Sequence, residues 1–187
     1  VLLAALTGPG AAAPRNGSRV QAERGVDRFI DGERVSYLYR NVFIDRDTVT
    51  AAADTGIVYN DRERYELYGH VRLTDRNTVL TCRRAVYTGR DGAGDFFGDV
   101  RVVEGDSTGQ VVGTGRLGES RGQGRLMRLI GDALLVTPDY TVRGDTVERD
   151  RMAGRGEAYG HVQIMEPGAR NLVTGDHAVF LGDEDVA

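Results

Sequence analysis

A repeat of about thirty residues constrains this chain more than any other feature. Five segments share one shape: Tyr39-Arg40-Asn41-Val42-Phe43-Ile44, Tyr68-Gly69-His70-Val71-Arg72-Leu73, Phe97-Gly98-Asp99-Val100-Arg101-Val102, Ile130-Gly131-Asp132-Ala133-Leu134-Leu135 and Tyr159-Gly160-His161-Val162-Gln163-Ile164. Their second positions fall at 40, 69, 98, 131 and 160, spaced 29, 29, 33 and 29. Such a period marks a body of stacked units, each burying its apolar face against the next. A second motif lies between the copies, in Leu80-Thr81-Cys82-Arg83-Arg84-Ala85-Val86-Tyr87, Val142-Arg143-Gly144-Asp145 and Val173-Thr174-Gly175-Asp176-His177-Ala178. With Val111-Val112-Gly113-Thr114 included, its small third position falls at 82, 113, 144 and 175, always 31 apart, and Ala51-Ala52-Ala53 stand where an earlier copy belongs. Each repeat is therefore two strands.

Alternation supports strands. One parity of the first motif carries Leu38, Val42 and Ile44; Leu67, Val71 and Leu73; Phe96, Val100 and Val102; Leu129, Ala133 and Leu135; and Ala158, Val162 and Ile164. The other carries mostly polar residues such as His70, Arg72, Asp99 and Gln163, the period-two signature of a strand with one buried face. Turn clusters separate the strands at Asp45-Arg46-Asp47, Asn60-Asp61-Arg62, Gly89-Arg90-Asp91-Gly92, Glu104-Gly105-Asp106 and Glu166-Pro167-Gly168. A glycine recurring inside a strand predicts a bulge or bend. The bulky residue before it, Tyr39, Tyr68, Phe97, Ile130 or Tyr159, either swings inward at that bulge or builds an aromatic ladder on the opposite face.

Composition narrows the chemistry. The 24 basic residues are all arginine and are interleaved with 28 acidic ones, for a net charge of −4, so no basic face for nucleic acid is expected. The single cysteine, Cys82, forms neither an intramolecular disulfide nor a structural zinc knuckle, and it stands in the small column otherwise filled mainly by Gly. No nucleophile elbow is present. His70 and His161 occupy equivalent repeat positions with His177 on another strand, which reads as exposed strand residues rather than a metal site, and Asp91 to Phe96 reads as a hairpin loop. The expectation is a protein that is not an enzyme and needs no metal or cofactor. Val1 to Ala12 reads as the back half of a signal peptide, cleaved before Ala13, with an Ala-rich tail as the alternative. Residues 13–34 then form an amino-terminal segment, and 35–187 a single β domain that continues beyond 187 if the chain is part of a longer protein.

The recurring elements, an aromatic or apolar residue followed by Gly-His-Val or Gly-Asp-Val and later by a Thr-to-Tyr strand, resemble the OstA-like family. Its members are periplasmic lipopolysaccharide-transport bridge proteins, and it supplies the amino-terminal domain of the outer-membrane assembly protein. The likeness is strongest from Tyr37 to Val103 and runs again from Leu129 to Phe180, whereas Gly113 to Arg125 within residues 104–128 matches little. This chain departs from the family in carrying His or Asp where Asn usually comes after the Gly, and Arg83 where Asp is favoured.

The resemblance implies an all-β, repetitive, antiparallel, open V-shaped β jelly roll in the periplasm, associated with the outer membrane. It also implies an apolar groove that holds lipopolysaccharide acyl chains. Its lining would be Leu38, Val42 and Ile44; Leu67, Val71 and Leu73; Phe96, Val100 and Val102; and Leu135, Val162 and Ile164. Partners would be lipopolysaccharide and other OstA-like domains, joined edge to edge, including further copies head to tail. The competing reading is an extracellular β-solenoid adhesin or scaffold, in which these residues simply close on one another.

Overall fold

The computed structural model describes residues 10–12, 19–46, 48–105, 109–166, 168 and 172–181. They form β1 (Gly10–Ala12), β2 (Arg19–Ala22), β3 (Arg24–Ile30), β4 (Glu33–Arg46), β5 (Val49–Tyr59), β6 (Arg64–Asp75) and β7 (Thr78–Thr88). The chain continues through β8 (Ala93–Gly105), β9 (Gln110–Arg121), β10 (Leu126–Val136), β11 (Thr141–Asp150), β12 (Arg155–Met165) and β13 (Leu172–Leu181). From β4 onward each strand pairs antiparallel with the next, giving one open sheet that ends at β13. At the other end β4 is shared: its first half pairs with β3 and its second half with β2, so part of the 13–34 segment adds to the same sheet. The expected signal segment lies outside the described residues except for Gly10–Ala12, whose backbone pairs with β2.

The repeated Gly marks a crease. In β6, Gly69 and His70 together face only Arg83 of β7; in β8, Gly98 and Asp99 face Arg116; in β10, Gly131 and Asp132 face Asp145; in β12, Gly160 and His161 face Asp176. Both residues of each doublet are left-handed, with φ of +72° and +43° at Gly69 and His70 and +75° and +51° at Gly98 and Asp99. Asn, Asp and His are the side chains that tolerate this region best, which accounts for the second residue of every doublet. The Gly is required twice over, because a Cβ at Gly69 or Gly160 would also overlap the side chain of Asp54 or Asp145 on the preceding strand. Only the first copy departs, with Arg40 at φ +61° ahead of Asn41.

Five doublets in a row bend β4, β6, β8, β10 and β12 at their middles, so the sheet folds over into two facing layers, the open V-shaped jelly roll. The bulky residues before the doublets stay on the outside, as a ladder: Arg84 lies 5.5 Å from the Tyr68 ring centre and 5.1 Å from that of Phe97, and Tyr159 stacks on His177 at 4.8 Å. On the same face Glu66 is buried. Burial pulls its carboxyl upward, but the Tyr68 hydroxyl donating to it at 2.6 Å, with Arg64 and Arg84 alongside, leaves it below the ordinary glutamate range.

Two sequence expectations shift. Val42, Val71, Val100, Ala133 and Val162, each the residue after a doublet, lie in register with Ala53, Cys82, Gly115, Gly144 and Gly175. Gly115 thus replaces Gly113 in the small column, and the constant spacing of 31 was a coincidence; Gly113 pairs one row further out, with Val102. The poorly matching stretch within 104–128 holds a full strand, β9, paired along its length with β8 and β10. Its inward positions are largely Gly113, Gly115 and Gly118, so it lacks the apolar alternation that betrays a strand.

The doublet gives a direct test. Gly69→Ala is expected to lower stability by about 1–2 kcal/mol, whereas Arg40→Gly raises it by a few tenths to about 1 kcal/mol, both read from urea unfolding. Glu66→Gln is expected to cost about 1–3 kcal/mol at neutral pH. A depressed carboxylate contributes above its unfolded value and loses that contribution as pH falls through its folded one, so the difference from wild type shrinks below about pH 4.

Candidate functional site

The inner faces of the two layers carry four rows of side chains. Flanking the crease, one row runs through Leu38, Gly56, Leu67, Ala85, Phe96, Gly118 and Leu129, and its opposite through Val42, Ala53, Val71, Cys82, Val100 and Gly115. Even strands supply the large residues and odd strands the small ones, so the layers interdigitate at the fold line. The fit is tight: a Cβ on Gly118 would lie 3.0 Å from Val100, and one on Gly113 would lie 2.6 Å from Leu129 in the facing layer. Cys82 sits inside this row. Burial pushes its thiol up to about 11, and the thiol donates to the Arg84 carbonyl at 3.2 Å.

Away from the crease the layers diverge around a cavity of about 470 Å³. Ile44, Ala51, Leu73 and Leu80 line it from one layer and Tyr65, Leu67, Tyr87, Phe96 and Met127 from the other. Its volume falls in the range of about 300–1,000 Å³ usual for small-molecule sites. Arg46, Asp75, Arg76 and Gln123 stand among its polar lining residues. A smaller cavity of about 40 Å³ lies next to it, lined by Val102, Val111, Leu129, Leu135 and Val147 and sharing Thr78, Gly124 and Met127 with the first.

Ion pairs join the layers across the open side. Arg46, at the end of β4, donates to Glu63 at 2.6 Å and to the Tyr65 hydroxyl at 3.5 Å, and the bond to Glu63 holds its guanidinium above the usual arginine value. Further along, Glu104 accepts from Arg149 at 3.0 Å and pairs with Arg151 at 2.6 Å. Toward β13, Tyr140 and Phe180 meet edge to face at 5.4 Å.

The twelve residues expected to form a groove all face inward, but the structure sorts them. Ile44, Leu67, Leu73 and Phe96 line the larger cavity, and Val102 and Leu135 the smaller. Leu38, Val42, Val71, Val100 and Val162 are at most 2% exposed and line neither of these cavities, since they form the closed fold line. Ile164 packs half-buried against the core. Sequence reading missed Tyr65, Tyr87 and Met127. Tyr65 shares the parity of Leu67 two residues on, and Met127 that of Leu129, which is the signal that could have found them.

Among the described residues no three His, Cys, Asp or Glu side chains are placed to hold a metal ion. His70 and His161 lie on the outer surface, where their Nδ1 atoms bond Asp54 at 2.8 Å and Asp145 at 3.0 Å. Where the odd strand carries Arg83 or Arg116 instead, the even strand answers with Asp99 or Asp132. The Arg83 departure is thus one half of a reversed pair.

No model of a known protein family and no curated protein matches this sequence. Among solved structures, the chain is similar to LptH from Pseudomonas aeruginosa, described as the LptA-homologous periplasmic component of the conserved lipopolysaccharide transport device. The TM-score is 0.56 at 13% identity, over 68% of this chain and 93% of that one. The fold is LptA-like. At that identity the likeness carries the architecture alone, so the chemistry of the interior rests on the residues above.

The sorting of the inner residues predicts two different phenotypes. Val71→Asp or Val100→Asp places a charge in the fold line and is expected to cost more than about 3 kcal/mol, read as loss of cooperative unfolding. Leu73→Glu, at the half-buried wall of the cavity, is expected to leave a folded protein. Cys82 is expected to resist Ellman's reagent in the folded chain at mildly alkaline pH and to react fully in guanidinium; rapid labelling of the folded chain would contradict its inward placement.

Proposed function

We propose that this protein is a noncatalytic lipid-binding module of a periplasmic bridge that carries lipopolysaccharide to the outer membrane. Its cavity shelters acyl chains while the sugars remain outside. The observation that carries the reading is the apolar cavity of about 470 Å³ between the two layers, open on the side where Arg46 and Arg76 stand. Apolar walls favour the methylenes by roughly 0.8 kcal/mol each, and Arg76 at the mouth suits an anionic headgroup. Likeness of fold to a component of a lipopolysaccharide transport device supports the same assignment.

Neighbouring modules, including further copies of this chain head to tail, join by strand addition at the sheet ends. Among the described residues nothing pairs with the outer edge of β13, which supports this, and Leu172, Val173 and Leu181 are 53%, 61% and 67% exposed on that strand. The competing adhesin or scaffold reading called for a closed core. The fully antiparallel pairing removes a parallel-coil solenoid, and the cavity weighs against a closed interior.

The test is native mass spectrometry with lipid extraction on protein purified from a Gram-negative periplasm. Wild type is expected to carry lipid A species and Leu73→Glu, equally folded, to carry none. A lipid-free wild type that also ignores added lipopolysaccharide would overturn the proposal.

A further inference from the structure

Among the described residues, two cavities between the layers adjoin one another. The larger runs from Ile44 on β4 to Met127 on β10, and the smaller lies on the far side of Met127, against Val111, Leu135 and Val147. Three residues border both, and of these Gly124 has no side chain and Thr78 a short one, so the long side chain of Met127 is the divider. The smaller cavity is bordered on the open side by Glu104 with Arg149 and Arg151, which pair with one another across the layers. A chain end lying in the larger cavity would reach the smaller one past Met127.

We infer that Met127 is the partition that sets how long an acyl chain this protein accepts. The inference rests on the lipid-binding reading and adds the determinant of chain length. Methionine suits such a post: its unbranched thioether changes rotamer at little cost and fills or vacates an irregular gap. With Met127 in place, the chain terminus stops against the thioether. With it truncated, the two cavities join, and each further methylene that enters tightens binding by about fourfold.

The experiment uses the full chain after delipidation and measures the affinities of decanoate, myristate and stearate by titration calorimetry, at concentrations below micelle formation. Met127→Ala is expected to shift the preference toward the longer chain relative to wild type, and Met127→Phe toward the shorter. Met127→Leu, close in volume, keeps the wild-type order, and thermal unfolding of each variant shows whether the fold persists. If Met127→Ala proves unstable, the Phe and Leu variants still decide the matter. Wild type that binds these chains, with the same length order in all three variants, would overturn the partition and leave the groove standing. Wild type that binds none of the three, nor lipopolysaccharide, would overturn both readings.

Discussion

Everything in this molecule depends on the pair of left-handed residues set into the middle of each even-numbered strand from β4 to β12. A left-handed residue costs a non-glycine side chain about 1–2 kcal/mol, so the doublet is written as Gly and then Asn, Asp or His wherever it can be. Two residues then stand against one on the next strand, and the strand bends. A single bulge would re-aim one side chain. Five in register, at Arg40, Gly69, Gly98, Gly131 and Gly160, fold a whole sheet over along a line and make an inside from what would otherwise be a flat apolar face.

The crease also dictates which residues lie beside it. In the row just after the doublets the layers converge so closely that a large side chain stands beside a small one: Val71 lies beside Cys82, Val100 beside Gly115, Val162 beside Gly175. Where the layers diverge the restriction lifts, and Tyr65, Tyr87 and Met127 stand around empty space instead of filling it. A fold line and a cavity are thus two consequences of one angle. On the strand half after the doublet, residues of a single parity divide between them by distance: Val71 and Val100 lie at the crease, Leu73 and Val102 at the cavities.

The same geometry separates the features legible in the sequence from those that were not. Period and parity are local, so the strands, their turns and the inward set from Leu38 to Ile164 could be read directly. The register and full extent of β9 could not, because its inward Gly113 and Gly118 make room for Leu129, Phe96 and Val100 of the neighbouring strands, and room leaves no apolar mark of its own. Nor could the split between fold line and cavity wall, which is set by the angle between layers. Val71 and Leu73 look alike as members of an alternating strand, yet one is sealed at the crease and the other borders the cavity. The same limit made Arg83 look like a departure from pattern until register brought it beside Asp99.

The stability of such a body is graded from the fold line outward. At the crease, interdigitated apolar side chains and paired backbone leave little to give, since Ala85, Val100 and Val71 are at most 1% exposed. At the open side the layers are joined by Arg46 with Glu63 and by Glu104 with Arg149 and Arg151, whose side chains keep 19% to 37% of their surface in solvent. Ion pairs so placed are screened and contribute on the order of 1 kcal/mol or less apiece. Parting them exchanges protein contacts for water at small cost, whereas parting the crease means unfolding. The Gly doublets thus keep the close packing on one side, and on the other the layers meet mainly through charges, with Tyr140 against Phe180 as an aromatic exception.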